Sequence, residues 1–150
     1  MTTLKKGDKA PNFSGKDQDG KLYSLADFEG KKLVVFFYPK ANTTGCTAEA
    51  CDLRDNFSRF QGDNYELLGV SADTEKAQFK FKEKFDLPFP LLADEDKSVI
   101  QAFGVWGPKK FMGKEYDGIH RTTFVIDENG FIDNVISDVK TKAHATQILG

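Results

Sequence analysis

Leu33-Val34-Val35-Phe36-Phe37-Tyr38, then Pro39-Lys40-Ala41-Asn42-Thr43-Thr44-Gly45-Cys46 and Thr47-Ala48-Glu49-Ala50-Cys51, is the stretch around which the rest of the chain reads. The apolar run has the length and the β-branched and aromatic content of a buried strand. Beyond it, Ala50, Leu53, Phe57 and Phe60 recur at helical spacing, so a helix is predicted there, closed by Gln61-Gly62-Asp63-Asn64. Between the two lies a loop marked by Pro39 and Gly45. This strand–loop–helix delivers Cys46 to a helix N-terminus, where unpaired backbone N–H groups and the positive dipole end favour a thiolate. Such a place makes a cysteine reactive.

Upstream, Phe13 and Leu22-Tyr23-Ser24-Leu25 flank Asp17-Gln18-Asp19-Gly20, a hairpin with its turn near Asp19-Gly20. Ala26-Asp27-Phe28-Glu29-Gly30 is a short connector. Downstream, Tyr65 to Ser71 reads as a second core strand. Asp73 or Thr74 can cap the next helix, in which Ala77, Phe81 and Phe85 stack at steps of four. Pro88 and Pro90 keep Leu87 to Ala93 out of a helix. Val99, Ala102 and Phe103 predict a short helix stopped at Gly104, and Trp106 to Lys114 reads as a surface loop. Arg121 to Asp127 and Phe131 to Ile136 flank Glu128-Asn129-Gly130, a strong hairpin signal. Lys142 to Leu149 predicts a last short helix. The expected fold is α/β: an N-terminal β-hairpin and a central mixed sheet flanked by helices, as one domain over residues 1–150.

Composition narrows the function classes. A chain of 150 residues with 14 Phe can bury a core without staples. Its net charge of −2 leaves no basic footprint for nucleic acid. Met1 to Lys6 lacks the apolar core of a signal peptide and no run is long enough to span a bilayer, so the expected compartment is the cytoplasm. Two cysteines make no disulfide framework; a lone pair in such a chain points to redox chemistry.

Pro39, Thr43 and Cys46 stand in the Pro-x-x-x-Thr-x-x-Cys pattern of the peroxiredoxins. With Cys51 five residues after Cys46, the chain resembles the peroxiredoxin Q, or bacterioferritin comigratory protein, subfamily. Gly7 to Phe13, Gly104 to Gly107 and Gly118 to Phe124 resemble further blocks of that family, so the likeness covers nearly the whole chain. The resemblance implies a thioredoxin-like fold and a thiol-dependent peroxidase acting on hydrogen peroxide and organic hydroperoxides. Cys46 would attack the peroxide and become a sulfenic acid; Cys51 would resolve it as an intramolecular disulfide; thioredoxin or a similar dithiol would reduce that. Arg121 would sit beside Cys46 and stabilise negative charge, and Glu49 would orient the arginine. A monomer is implied, with no metal or prosthetic group, and neither nucleic acid nor membrane as partner. Family members commonly carry Pro after the motif Thr. Here Thr44 stands there, and its hydroxyl is expected to help cap the helix.

Read by themselves, these residues have plainer uses. Thr43 can hydrogen-bond at the peroxide or close the loop, and Pro39 shapes the loop and shields the site. Glu49 also suits the positive end of the helix dipole. An Arg at a strand start is ordinarily a solvated charge. Cys51 falls on a polar helix face with Asp55 and Ser58, where a reductant can reach it. Three other classes fit less well: Cys-x₄-Cys with His120 and His144 far downstream matches no common zinc spacing; a Cys46–His120 hydrolase lacks a third orienting group; a thioredoxin-type oxidoreductase wants Cys-x-x-Cys. A non-catalytic thiol redox sensor uses the same chemistry, and catalytic turnover distinguishes it.

Overall fold

In the computed structural model, which describes residues 2–150, the N-terminal hairpin pairs β1 (Ser14–Lys16) antiparallel with β2 (Leu22–Ser24). Its turn is closed by the Asp17 carboxylate, which accepts hydrogen bonds from the Asp19 and Lys21 N–H groups, both at 2.9 Å. A 3-10 turn (Leu25–Phe28) leads to β3 (Lys32–Phe37), the predicted core strand. After it come α1 (Thr44–Asp55), α2 (Phe57–Gly62), β4 (Tyr65–Ser71), α3 (Glu75–Lys84), β5 (Leu91–Ala93) and α4 (Ser98–Ala102). The chain ends with β6 (Trp106–Phe111), β7 (Lys114–Ile119), β8 (Thr122–Ile126), β9 (Ile132–Ile136) and α5 (His144–Leu149).

Five strands form one mixed sheet in the order β5-β4-β3-β8-β9. The β3–β4 and β4–β5 pairs are parallel, reached through helical crossovers; β3–β8 and β8–β9 are antiparallel. Both faces of β3 are covered, which is why its sequence is uninterruptedly apolar. Leu33, Val35 and Phe37 enter one core with Phe103, Phe124 and Ile132. Val34, Phe36 and Tyr38 enter the other, with Cys46, Ala50, Leu53, Phe60 and Phe81. Leu33 to Tyr38 are each at most 1% exposed. At roughly 1.5–3 kcal/mol per buried large apolar side chain, this strand anchors the fold. Gly69 on β4 makes the close packing possible: a Cβ there would lie 2.7 Å from Leu91 Cδ2 and 2.9 Å from Phe36 Cζ.

Three expectations are corrected. The cysteine helix is not continuous through Phe60 but breaks at Asn56, whose φ of −109° leaves the helical region. There the Asn56 side-chain amide donates to the Asp52 carbonyl at 2.8 Å, a local bond that competes with the helical ladder. The segment from Trp106 to Lys114 is not a loop but β6 and the start of β7, a two-stranded ribbon turning at Met112 and Gly113, both with positive φ. Its strands lie outside the main sheet and are mostly exposed, so they carry no apolar alternation, and Pro108 further masks the signal. Thr44 does not cap α1: it is the first helical residue, and the cap position belongs to Thr43. Of the two candidate caps for α3, Thr74 takes the role, its hydroxyl oxygen accepting from the Ala77 N–H at 3.1 Å.

Candidate active site

Strand register brings the distant residues of the site together. Phe37, at the C-terminal end of β3, pairs with Thr122, the first residue of β8. Arg121 is therefore held beside the loop from Pro39 to Thr43 that carries the chain from β3 into α1. Cys46 lies in the first turn of α1, 2% exposed, packed with Ala50 and Leu53 against the even-numbered face of β3. Arg121 Nη2 donates to Cys46 Sγ at 3.3 Å, and Nη1 donates to Glu49 Oε1 at 2.7 Å. Glu49 is wholly buried, whereas the Arg121 side chain is 22% exposed. Glu49 is thus paired with the arginine inside the core.

Gly45 leaves room for Arg121. A Cβ at residue 45 would lie 3.2 Å from Arg121 Nη2, tighter than side chains ordinarily pack. The loop is fixed from the opposite side by Asp73, just beyond β4. Its Oδ2 accepts from the Ala41 N–H at 2.8 Å and from the Ser71 hydroxyl at 2.6 Å. The Tyr38 hydroxyl donates to the Gln78 amide oxygen, and the Gln78 amide donates to Ser71 Oγ and the Leu92 carbonyl, both at 2.8 Å. This satisfies a buried polar chain behind the site. Thr43 is exposed, takes the cap position without a side-chain cap bond, and donates its hydroxyl to the Lys40 carbonyl at 2.8 Å. Pro39 is half-buried in the same loop. Cys51 is half-buried, and both cysteines are free thiols.

The charges here are set by burial against pairing. Burial opposes the Arg121 charge, but Cys46 and Glu49 outweigh it and hold the guanidinium more firmly protonated than usual. Burial pushes the Glu49 carboxyl up to about 7, although the charge and hydrogen bond of Arg121 pull it down. His144, at the start of α5, is wholly buried with its Nε2 3.4 Å from Glu49 Oε2, and burial holds its pKa below the ordinary histidine value. His120 is elsewhere: its Nε2 lies 2.9 Å from the Pro108 carbonyl, so it is not the base for Cys46 that a hydrolase would need. Among the described residues no group of three or more His, Cys, Asp or Glu is placed to hold a metal ion. No helix among them is long and apolar enough to cross a membrane.

The AhpC/TSA family model matches residues 6–135. Peroxiredoxin Bcp of Escherichia coli K12 is 50% identical over 149 residues, covering 99% of this chain and 96% of that protein. The chain belongs to the AhpC/TSA family, in its peroxiredoxin Q/Bcp branch. Peroxiredoxin Bcp of Bacillus subtilis is 44% identical over 147 residues, covering 98% of this chain and 94% of that protein. Among solved structures, the Xanthomonas campestris bacterioferritin comigratory protein, studied for its alkyl peroxide reduction activity, superposes with a TM-score of 0.88. It is 31% identical, covering 99% of this chain and 95% of that one. The mixed sheet with flanking helices is the thioredoxin-like fold of the peroxiredoxins, as the resemblance implied.

Two residues of the site escaped sequence reading. Asp73 looked like a helix cap, and its bond to Ala41 spans 32 positions that nothing local announces. His144 lay in a weak terminal helix, 95 positions from Glu49 and with no motif around it.

Proposed function

We propose that this chain is a thiol peroxidase that reduces hydrogen peroxide and organic hydroperoxides, with Cys46 as the attacking group. The observation that carries the proposal is the 3.3 Å contact between Arg121 Nη2 and Cys46 Sγ at the first turn of a helix. A thiolate there faces a fixed cation and an uncapped helix start, both of which stabilise negative charge. The thiolate attacks one peroxide oxygen: an S–O bond forms, the O–O bond breaks, and the other oxygen leaves with the electron pair and takes a proton from solvent. Arg121 stabilises the charge that develops as the bond breaks. Cys46 is left as a sulfenic acid.

Thr43 has its hydroxyl proton committed to Lys40, so its oxygen is free to accept from the peroxide O–H. Pro39 shapes and shields the loop, and Glu49 orients Arg121. Cys51 then attacks the sulfenic sulfur, water leaves, and a Cys46–Cys51 disulfide forms. Two electrons from a dithiol, thioredoxin being the proposed donor, restore both thiols. The alkyl peroxide reduction of the Xanthomonas campestris relative supports the substrate class. We assign the whole of residues 1–150 to one catalytic domain working as a monomer in the cytoplasm, without metal or prosthetic group. Peroxide-dependent NADPH oxidation through thioredoxin and thioredoxin reductase tests this. Sustained turnover is expected; a single oxidation without turnover would instead identify a redox sensor.

A further inference from the structure

Behind the arginine, the second oxygen of Glu49 faces an unusual neighbour. Oε2 is buried and receives no hydrogen bond. His144 Nε2 lies 3.4 Å from it, itself on a residue with no exposure. The tautomer of His144 follows from its other contacts. Gln147 Oε1 accepts from the Lys140 N–H at 2.8 Å, while Gln147 Nε2 donates to the Asp138 carbonyl at 2.9 Å, and these two bonds fix the amide orientation. An amide oxygen then lies 2.8 Å from His144 Nδ1, so that nitrogen carries a hydrogen. In a neutral ring Nε2 is consequently a lone pair, which accepts from the Thr123 hydroxyl at 2.7 Å. An ionised Glu49 would place an unsatisfied carboxylate oxygen against that lone pair, at a separation too short for a water to lie between. Such a contact is repulsive and leaves one oxygen of a buried carboxylate without a hydrogen bond.

One added proton resolves the conflict, whether on Glu49 Oε2 or on His144 Nε2. The Thr123 hydroxyl serves either form, as donor to a bare nitrogen or acceptor from a protonated one. We propose that Glu49 and His144 hold one proton between them in the reduced protein, and that His144 is thereby a positioning residue for the chemistry of Cys46. With the proton in place, Glu49 still accepts from Arg121 through Oε1 but the Glu49–His144 pair cancels its negative charge. The full charge of Arg121 is then directed at the Cys46 sulfur. When the proton leaves, a carboxylate 2.7 Å from the guanidinium competes with the thiolate for it. The raised carboxyl of Glu49 and the lowered imidazole of His144 agree with a proton kept on this pair.

The other charged groups around the pair are few. From α1, Cys46 faces Arg121, and Asp52 faces His144, favouring its protonation while its Oδ2 accepts from the Ala145 N–H at 2.8 Å. Arg121, ahead of β8, disfavours it. From β6, Lys109 acts on Arg121 and Cys46 rather than on the pair, its amine donating to the Ile119 carbonyl at 2.9 Å. The kinetic role of His144 rests on the peroxidase reading above; the shared proton does not.

Two measurements on the full-length reduced protein test the inference. The first follows the Glu49 carboxyl carbon and the His144 ring nitrogens by NMR from about pH 5 to 9, a window that spans ordinary histidine titration. Both nuclei are expected to report loss of one common proton near neutrality. A Glu49 carboxylate ionised across the whole range beside a neutral His144 would overturn the shared proton. The second follows the rate of Cys46 oxidation by hydrogen peroxide against pH in wild type and His144→Gln. The variant is expected to react about tenfold more slowly at neutral pH and to lose the decline that wild type shows as the pair deprotonates. A folded variant with the wild-type rate and pH profile would overturn the positioning role. Wild type inert to peroxide would overturn the peroxidase reading and the kinetic role with it, and the NMR titration would still decide the proton. That titration needs no substitution, so it stands if His144→Gln fails to fold.

Discussion

Cys46 and Cys51 lie on one continuous helix, Thr44–Asp55, the first buried and the second half-buried. Five helical residues give an axial rise of ~7.5 Å and an angular offset of ~140°, hence a Cα–Cα distance of ~8.7 Å. A disulfide wants Cα atoms within about 6.8 Å of each other and converging side chains. The thiol and disulfide forms therefore cannot share this helix. Oxidation should unwind α1 from Cys46 to about Cys51, a helix end being among the less stable parts of a fold. Amide hydrogen exchange over this segment is expected to be faster in the disulfide form than in the reduced form. Equal protection in the two, with the disulfide verified by mass spectrometry, would contradict it.

Gly45→Ala separates stability from reactivity. Ala is favoured over Gly in a helix by up to about 1 kcal/mol, which offsets part of the cost of displacing Arg121, so the variant should stay folded. Its Cβ, however, would stand 3.2 Å from Arg121 Nη2 and push the guanidinium off the Cys46 sulfur. Peroxide reduction is expected to fall about tenfold or more, the effect of weakening one charge-stabilising contact. Stopped-flow oxidation rates beside thermal melts would show the split; an undiminished rate would mean that Gly45 is not what lets Arg121 approach.

Asp73→Ala removes the acceptor for the Ala41 N–H, a donor on a buried residue of the loop ahead of Cys46. Leaving that donor unsatisfied costs on the order of 1–3 kcal/mol. Urea unfolding should register the loss. Peroxidase activity should fall as well, because the loop no longer holds Thr43 and the start of α1 in place. Full stability and activity in the variant would remove Asp73 from the site.

The fold was largely legible in the sequence where burial imposes a pattern, and the site only where a motif marks it. The six residues from Leu33 to Tyr38 announced a strand covered on both faces because both faces are in fact packed. The ribbon of β6 and β7 was invisible because its strands are exposed and bury no repeating stripe. Arg121 became a site residue through resemblance alone: what places it beside Cys46 is the register Phe37–Thr122, a pairing across 85 positions. Asp73 and His144 had neither motif nor pattern, since their partners are chosen by tertiary packing.

Stability should vary with pH in a way that reports on Glu49. Its carboxyl, ordinarily at 4.5, is raised to about 7 in the fold. Between those values the folded chain keeps a proton that the unfolded chain has released, so this contribution falls as pH rises. His144 is lowered from 6.5, so below that value the unfolded chain takes up a proton that the folded chain refuses, and this contribution rises with pH. Just below 6.5 the two oppose each other, and from 6.5 to about 7 only the falling contribution of Glu49 remains. Urea midpoints measured across this range and above it should decline from about 6.5 to 7 in wild type and then level off, and the decline should be absent in Glu49→Gln. The same decline in both proteins would place its origin elsewhere.

The most direct test of Cys46 as the attacking group is the reaction of two serine variants with one equivalent of hydrogen peroxide, read by intact mass and by peroxide consumption. Cys51→Ser keeps Cys46, Arg121 and Glu49 in place but cannot form the disulfide. It is expected to consume the peroxide rapidly and to gain one oxygen on Cys46, while being recycled poorly by thioredoxin. Cys46→Ser keeps Cys51 on its half-buried face, without the Arg121 hydrogen bond that Cys46 receives, and is expected to consume none on the same timescale. If Cys51→Ser reacts no faster than Cys46→Ser, Cys46 is not the group that attacks peroxide.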